Sequence, residues 1–353
     1  MMGKERFLNF QDPEKNHERV LKILQIAESS PRIRYFLRKI FAYQDPKLEV
    51  DLFGLHFTNP VGLAAGFDKN CQVPKALASF GFGHIEVGTV TPLSQEGNPR
   101  PRIWKLVEDR AVINWMGMPN VGVEEFTRNL NEVAERDFIL GINIGKSEVT
   151  SLEDASTDYK VLFKKTHSYG DYIAINVSSP NTPELRRLQR KEFLLDLIKE
   201  IKRSGELTPI LLKIDPDLSY SQIDDILTIA LNCKIDGIIA TNTTVSRENL
   251  KSKNRNKPGG LSGVPLRNKS TEIIRYLYRQ TKASLPIIGV GGIFNAEDAL
   301  EKIKAGASLV QVYTGFVFDP LKGPFVAKSI NKELSKVLET EKARSIGELV
   351  GRE

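Results

Sequence analysis

Eight short apolar runs, each ending in polar or glycine residues and each followed by a helix-like stretch, constrain this chain most. They span residues 61–66, 84–90, 139–145, 172–178, 210–214, 237–242, 286–291 and 309–315. Apolar runs without strict alternation read as strands buried on both faces of a parallel sheet. Their spacing fits βαβ crossovers, and eight such units predict an α/β fold, a (β/α)8 TIM barrel. A doubly wound sheet is the alternative. It would normally carry a dinucleotide fingerprint after its first strand, and Gly62-Leu-Ala-Ala-Gly66 does not match one.

At 353 residues the chain exceeds the usual single core, so an appendage is expected beside the barrel. The division read here is a helical segment at 1–47, the barrel at 48–340 and a tail at 341–353. Asp12-Pro13 and Ser30-Pro31 each pair a capping side chain with proline at the first helical position, predicting two helices. Val20, Ile23, Leu24 and Ala27 repeat at helical spacing in the first. Ile33, Phe36, Leu37, Ile40 and Phe41 form one face of the second, with Arg32, Arg34, Arg38 and Lys39 on the remainder. Such a helix either lies in the plane of an anionic membrane or packs on its own domain with a solvated basic face.

Cys71 and Cys233 cannot make a disulfide framework, and His17, His56, His84 and His167 show no zinc spacing. A net charge of +6 permits an anionic partner: a small acid, a phosphate, a membrane surface or nucleic acid. The basic residues are interspersed with acids, against a dedicated nucleic-acid face. No apolar run is long enough to span a bilayer, and residues 1–10 lack the apolar core of a secretory leader. An intracellular protein is expected.

In a barrel the carboxyl ends of the strands form one ring, where these folds keep their chemistry. The ring reads Ala65, Gly66 and Lys69; Thr89; Asn143; Asn176 and Ser179; Lys213; Thr241 and Asn242; Gly291 and Gly292; Tyr313 and Thr314. It holds amides, hydroxyls, glycines and two lysines but no histidine, unlike a metal hydrolase. It suits a flat, hydrogen-bonding, anionic cofactor. Gly289-Val-Gly-Gly-Ile293, Tyr313-Thr-Gly315 and Gly259-Gly-Leu-Ser-Gly263 converge on the corner where such barrels bind phosphate. The stretch from Tyr172 to Leu185 changes from an apolar run into Ser178, Ser179, Asn181 and Thr182 between prolines. It is either a chemistry-bearing strand end or a turn that stops a strand. Lys213 stands within a strand and needs a buried counter-charge, which no acid nearby in sequence supplies and a reduced flavin would. Lys69 can pair with a substrate carboxylate, or with Asp68 or another rim acid.

Nine ordered segments resemble the dihydroorotate dehydrogenases. They are Asn59-Pro-Val-Gly-Leu-Ala-Ala-Gly-Phe-Asp-Lys-Asn70, Glu86-Val-Gly-Thr-Val-Thr-Pro92, Gly97-Asn-Pro-Arg-Pro-Arg102, Asn143-Ile-Gly-Lys146, Asn176-Val-Ser-Ser-Pro-Asn-Thr-Pro183, Lys213-Ile-Asp-Pro-Asp217, Ala240-Thr-Asn-Thr-Thr244, Gly259-Gly-Leu-Ser-Gly263 and Gly289-Val-Gly-Gly-Ile293. The opening Asp12-Pro-Glu with His17, and the two helices, resemble the quinone-using, membrane-associated class 2 enzymes. That class has a serine base, whereas class 1 uses a cysteine that this loop lacks.

The resemblance implies FMN over the barrel mouth, held by Ala65, Gly66, Phe67, Asp68, Lys69, Thr89, Asn143, Asn176, Lys213, Thr241, Gly263, Gly292, Tyr313 and Thr314. It implies dihydroorotate bound through Lys69, Asn114, Trp115, Met116, Gly117, Met118, Asn176, Asn181, Asn242 and Thr243, with oxidation to orotate in de novo pyrimidine biosynthesis. Ser179 would take the C5 proton, Thr182 would relay it, and hydride would pass from C6 to flavin N5. A membrane quinone would reoxidise the flavin, reaching it between the N-terminal helices. A monomer peripheral on the cytoplasmic face of the inner membrane, in a bacterial cell, is implied too. One segment departs from the family pattern: Asn114-Trp-Met-Gly-Met-Pro-Asn120 places Trp115 where the family has a cation and Met118 where it has an aromatic. A dihydrouridine synthase-like reductase, or a colourless phosphate-binding isomerase or lyase, would share the barrel and part of the ring.

Overall fold

Residues 12–353 are described in this computed structural model; the expectation that residues 1–10 hold no secretory leader lies outside them. All eight expected strands form in order: β1 (Val61–Leu63), β2 (His84–Val90), β3 (Ile139–Ile144), β4 (Tyr172–Asn176), β5 (Ile210–Ile214), β6 (Gly237–Ala240), β7 (Ile287–Val290) and β8 (Leu309–Val312). They pair in parallel, and β8 closes on β1 with Val310 opposite Val61. Most strands stop short of their apolar runs. Ser178, Asn242 and Gly291 therefore fall on loops at the carboxyl rim.

The barrel is a packed core. Tyr172, Leu211, Ile239, Ile288 and Leu309 fill its lower interior. Below them an antiparallel hairpin, Val50–Leu52 with Leu55–Phe57, closes the bottom with the fully buried Phe57. Gly141 makes room for this packing, because a Cβ there would run into the Tyr172 ring. Outside, the helices bury residues such as Phe163, Leu197, Ile201, Ile274, Leu277 and Leu334. Each contributes roughly 1.5–3 kcal/mol of apolar burial.

One layer was not legible from the sequence. Ile103–Leu106, Ala111–Asn114 and Gly260–Gly263 make a three-stranded antiparallel sheet above the barrel mouth. Gly260 pairs with Asn114, and a side chain at 260 would collide with Thr243 Oγ1. Glycines required by close approach leave no period-two pattern to read.

The two expected helices are α1 (Pro13–Glu28) and α2 (Pro31–Phe41). Asp12 Oδ1 accepts from Glu14 N and Lys15 N, both at 3.1 Å, a cap that contributes about 1 kcal/mol. Their apolar faces are divided. Leu24 and Ala27 are buried and Leu37 and Phe41 pack on the core, whereas Val20, Ile23, Ile26, Ile33, Phe36 and Ile40 are exposed. Among the described residues no helix is long and apolar enough to cross a membrane. Segment 341–353 packs on the barrel, with Ile346 and Leu349 buried and Glu353 paired to Arg275.

Candidate active site

A cavity of about 560 Å³ opens over the carboxyl rim and continues beneath α1. Among the cofactor positions expected from the sequence, Ala65, Gly66, Phe67, Lys69, Thr89, Asn176, Lys213, Thr241, Gly263, Gly292, Tyr313 and Thr314 line it. Asp68 and Asn143 are buried outside its lining. Of the expected substrate positions, Lys69, Asn114, Met116, Met118, Asn176, Asn181, Asn242 and Thr243 line it, whereas Trp115 and Gly117 do not. The Trp115 backbone N–H donates to Arg102 O at 2.7 Å. Ser179 lines the cavity; Thr182 does not, and is buried with no hydrogen-bond partner for its Oγ1 among the described residues.

The floor corrects one expectation. Lys213 does have an acidic partner, Glu86 on β2, whose Oε1 lies 3.2 Å from the ammonium. The two are 127 residues apart in sequence, so no local pattern pairs them. The usable signal was an acid inside an otherwise apolar buried strand, as exceptional there as Lys213 is in β5. Above this pair runs an amide and hydroxyl network. Thr89 Oγ1 donates to Asn143 Oδ1 at 2.5 Å, and Asn176 Nδ2 donates to Thr89 Oγ1 at 3.0 Å. Asn242 Nδ2 donates to Ser178 Oγ at 3.0 Å, and Asn181 Nδ2 to Asn114 Oδ1 at 2.7 Å. Three segments distant in sequence thus bring the amides of Asn114, of Asn176 with Asn181, and of Asn242 to one cavity.

Lys69 is not used up by Asp68. The Asp68 oxygens accept from Gln72 N at 2.9 Å and Val73 N at 2.8 Å. Burial chiefly, with the Arg102 charge adding and the Glu14 charge opposing, lowers the Lys69 ammonium to about 8. Such a cation gains from an incoming anion. His17 of α1 sits edge-on to Phe67 at 4.7 Å and lines the same cavity. Burial, then the Lys69 charge, pushes its pKa down to about 3, so it is neutral. Cys71 is buried and its thiol is pushed up, in keeping with a packing role.

The loop carrying Ser179 is tied down from outside the cavity. Arg186 pairs with Asp215 at 2.6 Å and Asp217 at 3.1 Å, and donates to Thr243 O at 2.9 Å and Ser178 O at 3.4 Å. Opposite, the glycines that the sequence expected at one corner do come together on the cavity wall. Gly263, Gly291 and Gly292 all have positive φ, with Arg267 packed behind Gly292 and donating to its carbonyl at 3.1 Å. The arrangement can hold a flat ligand with a hydrogen-bonding edge over a cation, an anionic group at the glycines, and a second anion near Lys69 facing a serine hydroxyl.

Comparison with known proteins agrees with this geometry. The dihydroorotate dehydrogenase family profile matches residues 47–338. A dihydroorotate dehydrogenase (quinone) of Christiangramia forsetii is 49% identical over 327 residues, covering 92% of this chain and 95% of that protein. One from Halobacterium salinarum is 44% identical over 340 residues, covering 96% and 95%. The crystal structure of a ligand-free dihydroorotate dehydrogenase from Eimeria tenella superimposes with a TM-score of 0.87 at 36% identity, covering 97% of this chain and 99% of that one. With nine ordered motifs on the rim of a closed barrel and relatives matched along nearly their full length, this chain belongs to the dihydroorotate dehydrogenase family, in its quinone-dependent branch.

Proposed function

We propose that the protein oxidises dihydroorotate to orotate in pyrimidine biosynthesis, passing two electrons to bound FMN and from there to a membrane quinone. One observation carries the reading. A single cavity brings Ser179, Lys69 and the amides of Asn114, Asn181 and Asn242 together above Lys213, with glycines 263, 291 and 292 at its far corner.

The residues fit FMN. A volume of about 560 Å³ is in the range of small-molecule sites. Thr89, Asn176, Lys213 and Thr241 offer donors along a ring edge, and the backbone at Gly263 and Gly292 is open to a phosphate. When bound, FMN supplies the two-electron acceptor. The chain supplies the rest. Lys69 holds the substrate carboxylate, and the amides fix the ring so that its C5 proton faces Ser179. Ser179 Oγ already accepts from Asn181 N at 3.3 Å, which steadies the hydroxyl. A serine is a weak base, so it must hand its proton onward. That step falls to Thr182, three residues along the same loop, buried and with an unpartnered hydroxyl among the described residues.

The quinone approaches beneath α1, where Pro13, His17, Val20 and Leu21 extend the cavity wall toward the exposed apolar faces of α1 and α2. Those faces, with Arg32 and Lys39 beside them, suit a monomer lying peripherally on an anionic membrane, the inner face of the plasma membrane in a bacterial cell. The test is anaerobic mixing with dihydroorotate while the flavin absorbance is followed. Bleaching by dihydroorotate and recovery on adding a short-chain quinone is the expected result. Protein that is colourless, or a flavin that dihydroorotate leaves oxidised, would refute the proposal.

A further inference from the structure

Beneath the cavity floor lies a carboxylate that the steps so far do not require. Glu86 is 1% exposed, yet four donors from four other strands converge on it. Its Oε1 accepts from Asn143 Nδ2 at 2.8 Å and from Lys213 Nζ at 3.2 Å. Its Oε2 accepts from Gln311 Nε2 at 2.8 Å and from Tyr172 Oη at 3.1 Å. Burial alone would push its pKa up, but the Lys213 charge, then the Gln311 and Asn143 hydrogen bonds, outweigh that and hold it below the ordinary range. An anion this well satisfied is built to stay an anion. Two of its partners, Lys213 and Gln311, also line the cavity.

We propose that Glu86 is a positioning residue that sets the reduction potential of the flavin, by holding Lys213 in place and cancelling part of its charge. The inference rests on the flavin reading of the site. A ring that takes up two electrons and one proton gains one negative charge. An ammonium without a counter-ion would stabilise that charge strongly, hold the electrons, and slow their passage to the quinone. Glu86 moderates the attraction, since in a site shielded from water the field at the ring depends on the pair and not on the cation alone.

The experiment is a dye-equilibrated reductive titration of bound FMN in the parent and in Glu86→Gln, at pH 6 and pH 8. The variant is expected to shift the balance toward reduced flavin at least tenfold, about 30 mV upward for a two-electron couple. Two pH values are needed because an unpaired buried ammonium loses its proton more readily. A shift at both, or at pH 6 alone, supports the proposal; no shift at either overturns it. Lys213→Met provides an independent arm. Its potential should fall, and Glu86→Gln added to it should restore part of the loss. This comparison remains available if Glu86→Gln alone does not fold, because neither variant buries an unpaired ammonium, and in Lys213→Met the carboxylate keeps its Asn143, Gln311 and Tyr172 donors. Equal potentials in Lys213→Met and the double variant would also overturn the role. Absence of flavin from the parent protein would instead sink the flavin reading itself.

Discussion

Glu14 of α1 and Arg102, 88 residues apart in sequence, form a buried ion pair in which one guanidinium grips one carboxylate twice. Arg102 Nη2 lies 2.7 Å and Nε 3.0 Å from Glu14 Oε1, and both side chains are less than a tenth exposed. Arg102 Nη1 also donates to Glu96 O at 2.6 Å and Asn98 O at 2.8 Å, while Arg100 reaches Glu18 at 2.8 Å. The pair is a buried polar tie between α1 and the barrel mouth. Removing one partner of a buried pair costs about 3–5 kcal/mol, because the other is left charged and dry.

Glu14→Ala should therefore loosen α1 without unfolding the barrel, whose core lies elsewhere. Anaerobic flavin reduction by saturating dihydroorotate should persist, saturation being needed because Glu14 also helps keep Lys69 charged, while turnover with quinone falls at least tenfold. Stopped-flow traces of the two half-reactions measure this directly. Equal losses in both would show that α1 is not specific to the quinone side.

Ser179→Ala should retain bound FMN, since Ser179 lies on the substrate loop, away from the glycine corner. Flavin reduction by dihydroorotate at neutral pH should slow by at least about two orders of magnitude, the lower end of what a general base contributes. Ser179→Cys should keep more activity than the alanine variant. A parental rate of reduction in Ser179→Ala would assign the base elsewhere.

Lys69 makes binding pH-dependent. Its ammonium is lowered to about 8, so the cation that pairs with a carboxylate is present below that pH and lost as pH rises through it. Affinity for orotate, followed by perturbation of the flavin spectrum, should weaken between pH 7 and pH 9.5. Lys69→Met should remove this pH dependence and weaken binding roughly 10- to 100-fold, the worth of a charge-assisted hydrogen bond.

Arg186 does not line the cavity, yet it bonds the backbone carbonyls of Ser178, next to the proposed base, and of Thr243, an expected substrate position. Arg186→Lys cannot reproduce four contacts from one planar group. The rate of flavin reduction should fall up to about a hundredfold, as for a misplacement of about 1 Å. FMN content should be unchanged. Loss of FMN in parallel would mean that the clamp supports the whole rim.

The chain by itself determined the barrel and the part of the cavity wall that the strand ends supply. Buried parallel strands must be apolar along their length and must end where the chemistry begins, so both their number and their polar tips are written locally. Ser179, Lys213 and the three glycine runs could be placed on one rim before any coordinates. The sheet of Ile103–Leu106, Ala111–Asn114 and Gly260–Gly263 could not, because its glycines serve contacts rather than a pattern. Nor could the partners of buried charges. Lys213 with Glu86, Arg102 with Glu14 and Arg186 with Asp217 join residues 127, 88 and 31 positions apart. Coulomb attraction depends on distance in space, and only closure of the barrel and docking of α1 bring those charges within reach of one another.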